Sequence, residues 1–321
     1  VGPFIGRRWR RAGASAIAVV TVLALLSSIR LPLGLFLALP VGATVATGVL
    51  LAFGRPDRRP TVHAVQAALD DAGLPVAEVR PASVDARGST PYFATLDDGT
   101  GLFVKVLGSH ERAADLMFRV YRFLRLKDVG DDRPFSSLRR TVEHEALLAL
   151  LARNVDIRTP RLRGVVNVGA DSMLLAYELI DGRSLDSLEA DAVTDELMHS
   201  VWQQIALLRE NRIAHRDLRR ANVFVGDDGD AWIIDFGFSE AAVPAEILDA
   251  DVAQMLASFA VVVGAQRAVA AAVEVLGTEA VGAALARLQL KAFSGATQTS
   301  LKEQKGRLDE LRHEVVEQCG V

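Results

Sequence analysis

Cysteine is almost absent from this sequence. Cys319 is the only one among 321 residues. A single thiol cannot close a disulfide within the chain, so an internal disulfide framework is excluded. Such low use of cysteine is compatible with a reducing, cytosolic setting for the folded part of the chain.

Positive charge is concentrated at the start of the chain and is scarce afterwards. The first 60 residues carry eight arginines and one acidic residue, Asp57, a net charge of +7, so the rest carries −11 of a total of −4. A nucleic-acid-binding domain needs a basic surface to meet the phosphate backbone. The acidic balance beyond residue 60 gives no support to such a partner, and we expect no nucleic acid.

Charge is absent altogether from two long apolar runs, residues 12–29 and 31–53. A helix rises about 1.5 Å per residue, so each run is long enough to cross a hydrocarbon core of about 30 Å. We predict that residues 1–57 form a membrane segment with two transmembrane helices joined by a tight turn at Arg30. A secretory signal peptide is the alternative for the first run, although the second run follows it at once.

Arginines flank the pair of predicted helices, at 7–11 and 55–59, and outnumber Arg30 between them. Because the short cytosolic flanks of membrane helices are enriched in Lys and Arg, both ends are expected to face the cytosol. The sequence therefore predicts a multi-pass protein of the cell membrane, with the lipid bilayer as a partner and the following domain in the cytoplasm.

Two short motifs in the second half of the chain carry the strongest chemical signal. The first is H-R-D-x₄-N, with Asp217 in its centre and Asn222 at its end, and the second is Asp235-Phe-Gly. β-prone runs at 222–225 and 231–234 flank a Gly-Asp-Asp-Gly turn, which predicts a hairpin. Such a hairpin brings Asn222 and Asp235 to the same end of a sheet, where their oxygens are suited to hold Mg²⁺. An ordinary surface hairpin is the alternative.

A lysine on a predicted strand and a carboxylate on a predicted helix would complete a phosphate site. Lys105 lies in the β-prone run 102–106, a setting similar to the V-A-I-K strand of phosphate-binding lysines. The helix predicted over 142–153 offers two acids. Glu143 has leucines at i+4, i+7 and i+8, which places it on the apolar stripe, and we predict that it pairs with Lys105. Glu145 is the alternative partner.

Glycine is scarce in the loop between the first two predicted strands of this domain. Residues 85–91 contain a single glycine, Gly88, where protein kinases show G-x-G-x-x-G. Gly88 and Ser89 are the candidates to offer backbone N–H groups and a hydroxyl to phosphate. A plain turn that initiates the next strand is the alternative.

Together these motifs resemble the protein-kinase-like superfamily over residues 62–290. Glu143, Asn154-Val155, Thr159-Pro160 and the run 177–182 form a pattern typical of its aminoglycoside-phosphotransferase and RIO-type branches. The chain is also similar to kinase-like modules of actinobacterial multi-pass membrane proteins.

The resemblance implies an α+β, bilobal protein-kinase-like fold over residues 58–295. A small antiparallel-sheet N-lobe is expected at 61–177, followed by a mainly helical C-lobe at 183–295. Residues 296–321 are expected to form a charged helical linker, leading to an additional membrane module in a longer protein.

The resemblance also implies how a nucleotide is bound. The expected cofactors are ATP and Mg²⁺. Main-chain groups of Glu178 and Ile180, in the segment between the lobes, would bond adenine. Lys105, paired with Glu143, would contact the phosphates.

The same resemblance assigns the catalytic roles. Asp217 would take the proton of the acceptor hydroxyl, and Asn222 and Asp235 would be the Mg²⁺ ligands. Arg219 stands where serine/threonine kinases have Lys, and as a cation it would stabilise the transferring phosphoryl group. Asp251 resembles the helix acid that braces the backbone of the catalytic loop.

The peptide-docking parts of protein kinases are missing from the sequence. Residues 238–250 alone separate the Asp235-Phe-Gly motif from the next predicted helix, and no A-P-E motif follows. We therefore expect a membrane-anchored, ATP- and Mg²⁺-dependent phosphotransferase that acts on a hydroxyl of a small molecule, a lipid or a protein. The alternative is a pseudokinase that binds nucleotide and regulates an attached transporter-like or flippase-like module.

Overall fold

The computed structural model describes residues 60–83, 89–108, 137–169 and 171–321, together with the helical positions 41, 42, 44, 45 and 48. The predicted transmembrane helix 12–29 lies outside these residues, and so does the predicted helix 31–53 apart from those five positions. Gly88 of the predicted phosphate loop also lies outside them. The chain divides into two units, Val1–Arg59 and Pro60–Val321, and the helices and strands that carry the candidate site belong to the second.

A five-stranded antiparallel sheet forms the N-terminal half of the second unit. A helix, α1 (Val62–Asp71), precedes it, and the hydroxyl of Thr61 caps this helix by accepting the N–H of Ala64 at 3.2 Å. The strands are β1 (Val76–Pro81), β2 (Thr90–Leu96), β3 (Gly101–Gly108), β4 (Leu162–Val168) and β5 (Ser172–Glu178). Their order across the sheet is β1-β2-β3-β5-β4, so β3 lies in the middle.

Strand β3 alternates between two environments, because successive side chains of a strand point to opposite faces. Val104 and Val106 are fully buried on the face that packs with α1. Lys105 lies on the other face, opposite Leu175 of β5. Helix α2 (Leu138–Asn154) packs on this second face, which places the lysine between sheet and helix.

The C-terminal half of the unit is mainly helical. Its helices are α3 (Asp195–Glu210), α4 (Ala245–Val263), α5 (Ala265–Ala283), α6 (Gly295–Glu303) and α7 (Arg307–Cys319). Strands β6 (Gly182–Ser184), β8 (Val223–Gly226) and β9 (Ala231–Ile233) form one small sheet, and β7 (Ile213–Ala214) pairs with β10 (Glu240–Ala241) in another. Trp202 of α3 and Phe259 of α4 are fully buried, with ring centroids 6.0 Å apart. The two halves confirm the predicted α+β class.

One helical stretch among the described residues, Ala265–Arg287, is long and apolar enough to cross a membrane. It is interrupted at Gly277, where φ is 81°. Ala268, Val269 and Ala272 of this stretch are buried in the core formed by the C-terminal helices. Since a core helix of a folded domain has the same composition, the stretch gives only weak support to a membrane span.

The predicted charged linker at 296–321 is helical, but it packs into the C-terminal core. Leu301 of α6 and both Leu311 and Val315 of α7 are buried in the main hydrophobic cluster. Their spacing puts one apolar face on each helix, while the many charged residues occupy the outer faces. The structure therefore corrects the linker interpretation: both helices are part of the folded unit.

Truncation of Phe259 tests whether α4 is the centre of this core. Phe259→Ala removes a fully buried ring that packs against Trp202, and it is expected to lower the free energy of unfolding by about 3–5 kcal/mol. The matched control, Val316→Ala, changes a side chain that is 40% exposed, and a change below about 0.5 kcal/mol is expected. Denaturant unfolding measures both variants, and equal stabilities would contradict the central position of α4.

Candidate active site

One carboxylate of α4 fixes the loop that follows β7. Asp251 accepts the backbone N–H groups of His215 at 2.6 Å and of Arg216 at 2.8 Å. Arg216 has a φ of 64°, a conformation that is uncommon for residues with a Cβ, and these hydrogen bonds stabilise it. Desolvation raises the pKa of the Asp251 carboxyl, although the N–H groups and charges of His215 and Arg216 oppose that rise. The bracing contact predicted for Asp251 is confirmed.

His215 joins this loop to the end of β9. Its Nε2 donates to the carbonyl of Ile234 at 2.9 Å. Its ring packs edge-on against that of Phe236, with the centroids 5.2 Å apart. The backbone on either side of Asp235 is thereby tied to the loop that carries Asp217.

Asp217, Arg219 and Asn222 meet within one tight loop. The amide nitrogen of Asn222 donates to the backbone carbonyl of Asp217 at 2.8 Å and to its carboxylate at 3.1 Å. The Nε of Arg219 donates to the same carboxylate at 3.2 Å. These bonds use the amide nitrogen of Asn222 and leave its amide oxygen to accept a cation.

The predicted hairpin is confirmed as β8 and β9. Val223 pairs with Ile233, and the N–H of Ile234 donates to the carbonyl of Asn222 at 3.0 Å. Asn222 and Asp235 therefore flank the same end of the hairpin.

A lysine with little exposure lies between two carboxylates. The Nζ of Lys105 is 2.6 Å from Asp235 and 2.9 Å from Glu145. The hydroxyl of Tyr177 also donates to Glu145, at 3.3 Å. Lys105 and Asp235 are 130 positions apart in the sequence, so this contact connects the N-terminal sheet, α2 and the segment after β9.

Charge and burial compete at each of the three groups. Desolvation acts to lower the pKa of Lys105, but the carboxylates of Asp235 and Glu145 raise it above its usual value. Desolvation raises the pKa of Glu145 against the opposing effect of Lys105. Desolvation also acts to raise the pKa of Asp235, yet Lys105 brings it below the usual range, with smaller contributions from His215 and Arg219. Asp235 is therefore ionised at neutral pH, as a ligand of a divalent cation must be.

The prediction that Glu143 pairs with Lys105 is wrong. The side chain of Glu143 is 56% exposed and pairs with Arg139, one helical turn away, at 3.0 Å. The side chain of Glu145 is 2% exposed and makes the contact instead. The alternative acid is thus the partner of the lysine.

The reason lies in which face of α2 meets the sheet. Leu147 and Leu150, which suggested an inward stripe on the side of Glu143, are 62% and 51% exposed. The buried face carries Ala146 and Ala149 next to Glu145. Small side chains let the helix approach the sheet closely enough for a carboxylate to reach the lysine.

Two residues after β9 have conformations or surroundings that restrict their identity. Asp235 has φ 67° and ψ 65°, in the left-handed region, and its carboxylate contacts Lys105. A Cβ on Gly237 would lie 3.1 Å from the carboxylate of Glu145. The close approach of α2 therefore favours glycine at this position.

The segment that follows Gly237 is shorter than predicted. Helix α4 begins at Ala245, so residues 238–244 alone separate the motif from the helix, in place of the predicted 238–250. The helix begins early because Pro244 provides an extended residue immediately before it.

Contacts that the sequence did not reveal hold this short segment in place. Arg216 of the catalytic loop forms an ion pair with Glu240, and Nε2 of His144 donates to the carbonyl of Ser239 at 2.8 Å. The pairing of β10 with β7 adds backbone hydrogen bonds. Only the fold brings these residues together, and no spacing in the sequence signals them.

The segment after β5 links the two halves of the unit. The N–H of Glu178 donates to the carbonyl of Arg161 at 2.8 Å, and the N–H of Leu179 donates to the carbonyl of Gly101 at 2.9 Å. The side chain of Glu178 pairs with Arg163 at 2.7 Å. The N–H of Glu178 is therefore already used within the protein.

Comparison with known proteins shows that part of the chain is similar to a known family. The model of the protein kinase domain matches residues 138–259, from the start of α2 into α4. This region is similar to a protein kinase domain. The matched region contains Glu145, Asp217, Asn222 and Asp235, whereas Lys105 lies before it and is brought to the site by the fold.

Two yeast kinases share short stretches with the chain. A MAP kinase kinase of Saccharomyces cerevisiae is 28% identical over 82 residues, which is 22% of this chain and 16% of the relative. A mitochondrial serine/threonine-protein kinase of Schizosaccharomyces pombe is 30% identical over 108 residues, 32% of this chain and 22% of the relative. The chain thus spans less than a quarter of either relative. These similarities support membership of the protein-kinase-like superfamily.

Replacement of each of the two acids of α2 by glutamine tests which one supports nucleotide binding. Glu145→Gln leaves Lys105 with one carboxylate partner and is expected to weaken binding of Mg²⁺–ATP about tenfold, or ~1.4 kcal/mol. Glu143→Gln, two positions away on the exposed face, is the matched control and is expected to bind within about twofold of the original chain. Calorimetric titration with Mg²⁺–ATP measures both. The reverse ranking would restore the prediction for Glu143.

Proposed function

We propose that this chain is an ATP- and Mg²⁺-dependent phosphotransferase that acts on a hydroxyl acceptor. The contact of Lys105 with both Glu145 and Asp235 carries the proposal. Protein kinases need the pair of strand lysine and helix glutamate in place, together with the metal-binding Asp, before transfer can occur. All three groups are assembled here, beside Asp217 and Asn222.

The donor set supports Mg²⁺ bound together with nucleotide phosphates. Asp235 and Asn222 provide a carboxylate and an amide oxygen, the hard ligands that Mg²⁺ prefers. Among the residues that the structure describes, no group of three or more His, Cys, Asp or Glu side chains forms a metal site of its own. Few protein ligands are expected where phosphates supply the others. Bound Mg²⁺ and ATP would supply the phosphoryl group and neutralise its charge.

The side chains of the chain itself divide the remaining work. Lys105 contacts the phosphates and is kept charged by its two carboxylates. Asp217 accepts the proton of the acceptor hydroxyl, positioned by the amide of Asn222. Arg219, whose guanidinium already contacts Asp217, stabilises charge on the transferring group.

The adenine and phosphate-loop contacts follow from the remaining sequence predictions. With its N–H used by Arg161, Glu178 offers its carbonyl to adenine, and Ile180 offers its N–H. Ser89 immediately precedes β2 and would reach phosphate together with Gly88. The single-glycine loop favours a second candidate function, a nucleotide-binding pseudokinase that regulates an attached transporter-like or flippase-like module.

The proposed enzyme is held at a membrane. The charge-free runs 12–29 and 31–53 support anchoring in the cell membrane with the kinase-like domain in the cytoplasm. The motif pattern supports the aminoglycoside-phosphotransferase and RIO-type branches and a likeness to actinobacterial membrane proteins. A small molecule, a lipid or a protein would provide the hydroxyl, and an additional membrane module would belong to the same longer chain.

Removal of the base separates the two candidate functions. Asp217→Asn is expected to lower phosphoryl transfer from radiolabelled ATP about 10²–10⁴-fold, the usual contribution of a general base. The assay uses the full chain in detergent, with water, the protein itself and membrane extracts as acceptors. If ATP stabilises the chain against heat but turnover does not exceed that of the Asp217→Asn variant, the phosphotransferase function is excluded. The pseudokinase function then remains.

Membrane anchoring has its own test. Two transmembrane helices keep a protein in the bilayer when peripheral contacts are broken, because no charge attraction is needed to hold them. The full chain, expressed in a bacterial cell, is expected in the membrane pellet after alkaline carbonate extraction. Its release into the supernatant would contradict the predicted spans.

A further inference from the structure

A small cavity lies beside the catalytic loop, on the side of α4 and α6. Its volume is about 180 Å³. Arg219 and Arg220 of the loop line one side, and three hydroxyl residues line the other: Ser258 of α4, and Thr297 and Ser300 of α6. The cavity is too small for a folded partner. It can hold one polar group of a ligand together with the few atoms bonded to that group.

Arg220 is the unusual member of this cavity. Its side chain is half-buried, yet among the described residues it makes neither a hydrogen bond nor an ion pair. A guanidinium stays charged in a protein, and taking it partly out of water without a partner is unfavourable. The neighbouring Arg219 differs, because it contacts Asp217.

The opposite wall is polar and held in place. Ser258 donates to the carbonyl of Gln254 at 2.8 Å, and the amide of Gln254 donates to both Ser258 at 3.1 Å and Thr297 at 2.9 Å. Ser300 donates to the carbonyl of Ala296 at 3.3 Å. These bonds fix the hydroxyls and bring no charge to the wall.

The balance of charge around the cavity is positive. Asp186 is the single acidic residue among its lining groups. It is exposed and its carboxylate already accepts the hydroxyl of Ser184 at 2.6 Å. Arg219 and Arg220 outnumber it among the lining side chains. Because Arg219 is already paired with Asp217, Arg220 is the cation that favours a ligand with a negative group.

The loop that lines the cavity also carries Asp217. Arg220 follows Asp217 by three positions, which limits their Cα atoms to roughly 11 Å apart. The loop is tighter than this limit, because the N–H of Arg219 and the side chain of Asn222 both donate to the carbonyl of Asp217. A small molecule that spans this distance would present a hydroxyl to Asp217 and a second group to Arg220.

We propose, building on the phosphotransferase function above, that the acceptor is a small hydroxyl compound that carries a phosphate or phosphodiester group, and that Arg220 binds this anionic group. In the transfer step the hydroxyl proton passes to Asp217 while the acceptor oxygen bonds the γ-phosphorus of ATP. The bond from that phosphorus to the bridging oxygen breaks, and its electron pair leaves with ADP. The short segment at 238–244 favours such an acceptor over a peptide.

Binding of a matched pair of probes tests the anion site directly. Glycerol 3-phosphate and glycerol differ only by the phosphate, and each is titrated into the full chain in detergent, with and without Mg²⁺ and a non-hydrolysable ATP analogue. Glycerol 3-phosphate alone is expected to bind. Arg220→Gln is expected to weaken that binding about 10- to 100-fold, the loss of a charge-assisted contact, whereas the exposed Arg140→Gln control keeps it.

A second variant tests the same site if Arg220→Gln does not fold. Ser300→Asp adds a carboxylate to the opposite wall and is expected to weaken binding of glycerol 3-phosphate to a similar extent by repulsion. The proposal is overturned if either folded variant binds glycerol 3-phosphate as tightly as the original chain does. It is also overturned if the original chain binds glycerol as tightly as glycerol 3-phosphate.

Transfer assays then separate the sources of the phosphate-bearing acceptor. Radiolabel from ATP is followed into glycerol 3-phosphate and into vesicles of phosphatidylglycerol, with phosphatidylcholine vesicles as the control without a free hydroxyl. Labelling of the first supports a soluble metabolite, and labelling of phosphatidylglycerol alone supports a lipid headgroup. Arg220-dependent binding without any transfer would overturn the phosphotransferase function and the acceptor role while leaving the anion site. Labelling of added peptides in their place would overturn the proposal.

Discussion

The ammonium of Lys105 between the carboxylates of Glu145 and Asp235 is the contact on which the candidate site depends. A charge with so little exposure is costly unless opposite charges and hydrogen bonds compensate it. Two carboxylates do so here, at 2.9 and 2.6 Å. Because the three side chains come from β3, α2 and the segment after β9, satisfying one ammonium fixes the relative positions of all three elements.

A second carboxylate fixes the position of the loop that carries Asp217. Asp251 binds two successive backbone N–H groups at His215 and Arg216, and His215 in turn bonds the carbonyl of Ile234. The loop with Asp217 is thus connected to the strand that precedes Asp235. The described residues are therefore held in fixed positions, as the proposed phosphoryl transfer would require.

Sequence reasoning succeeded where a short-range rule fixed the geometry. A two-strand hairpin has one register once its turn is known, so the sequence places Asn222 and Asp235 together correctly. It failed where packing decided. Small residues such as Ala146 determine which side of α2 packs against the sheet. The stripe of leucines in the sequence pointed to the wrong side. The C-terminal helices carry so many charges that the inward face around Leu311 was overlooked.

Coupling between Lys105 and Glu145 is the most direct measure of whether their ion pair forms the nucleotide phosphate site. The affinity for Mg²⁺–ATP is measured for Lys105→Met, Glu145→Gln and the double variant. If Glu145 acts through the lysine, the double variant binds no more weakly than Lys105→Met alone, so the coupling free energy equals the whole effect of Glu145→Gln, about 1.4 kcal/mol. Losses that simply add would contradict the central position of this pair.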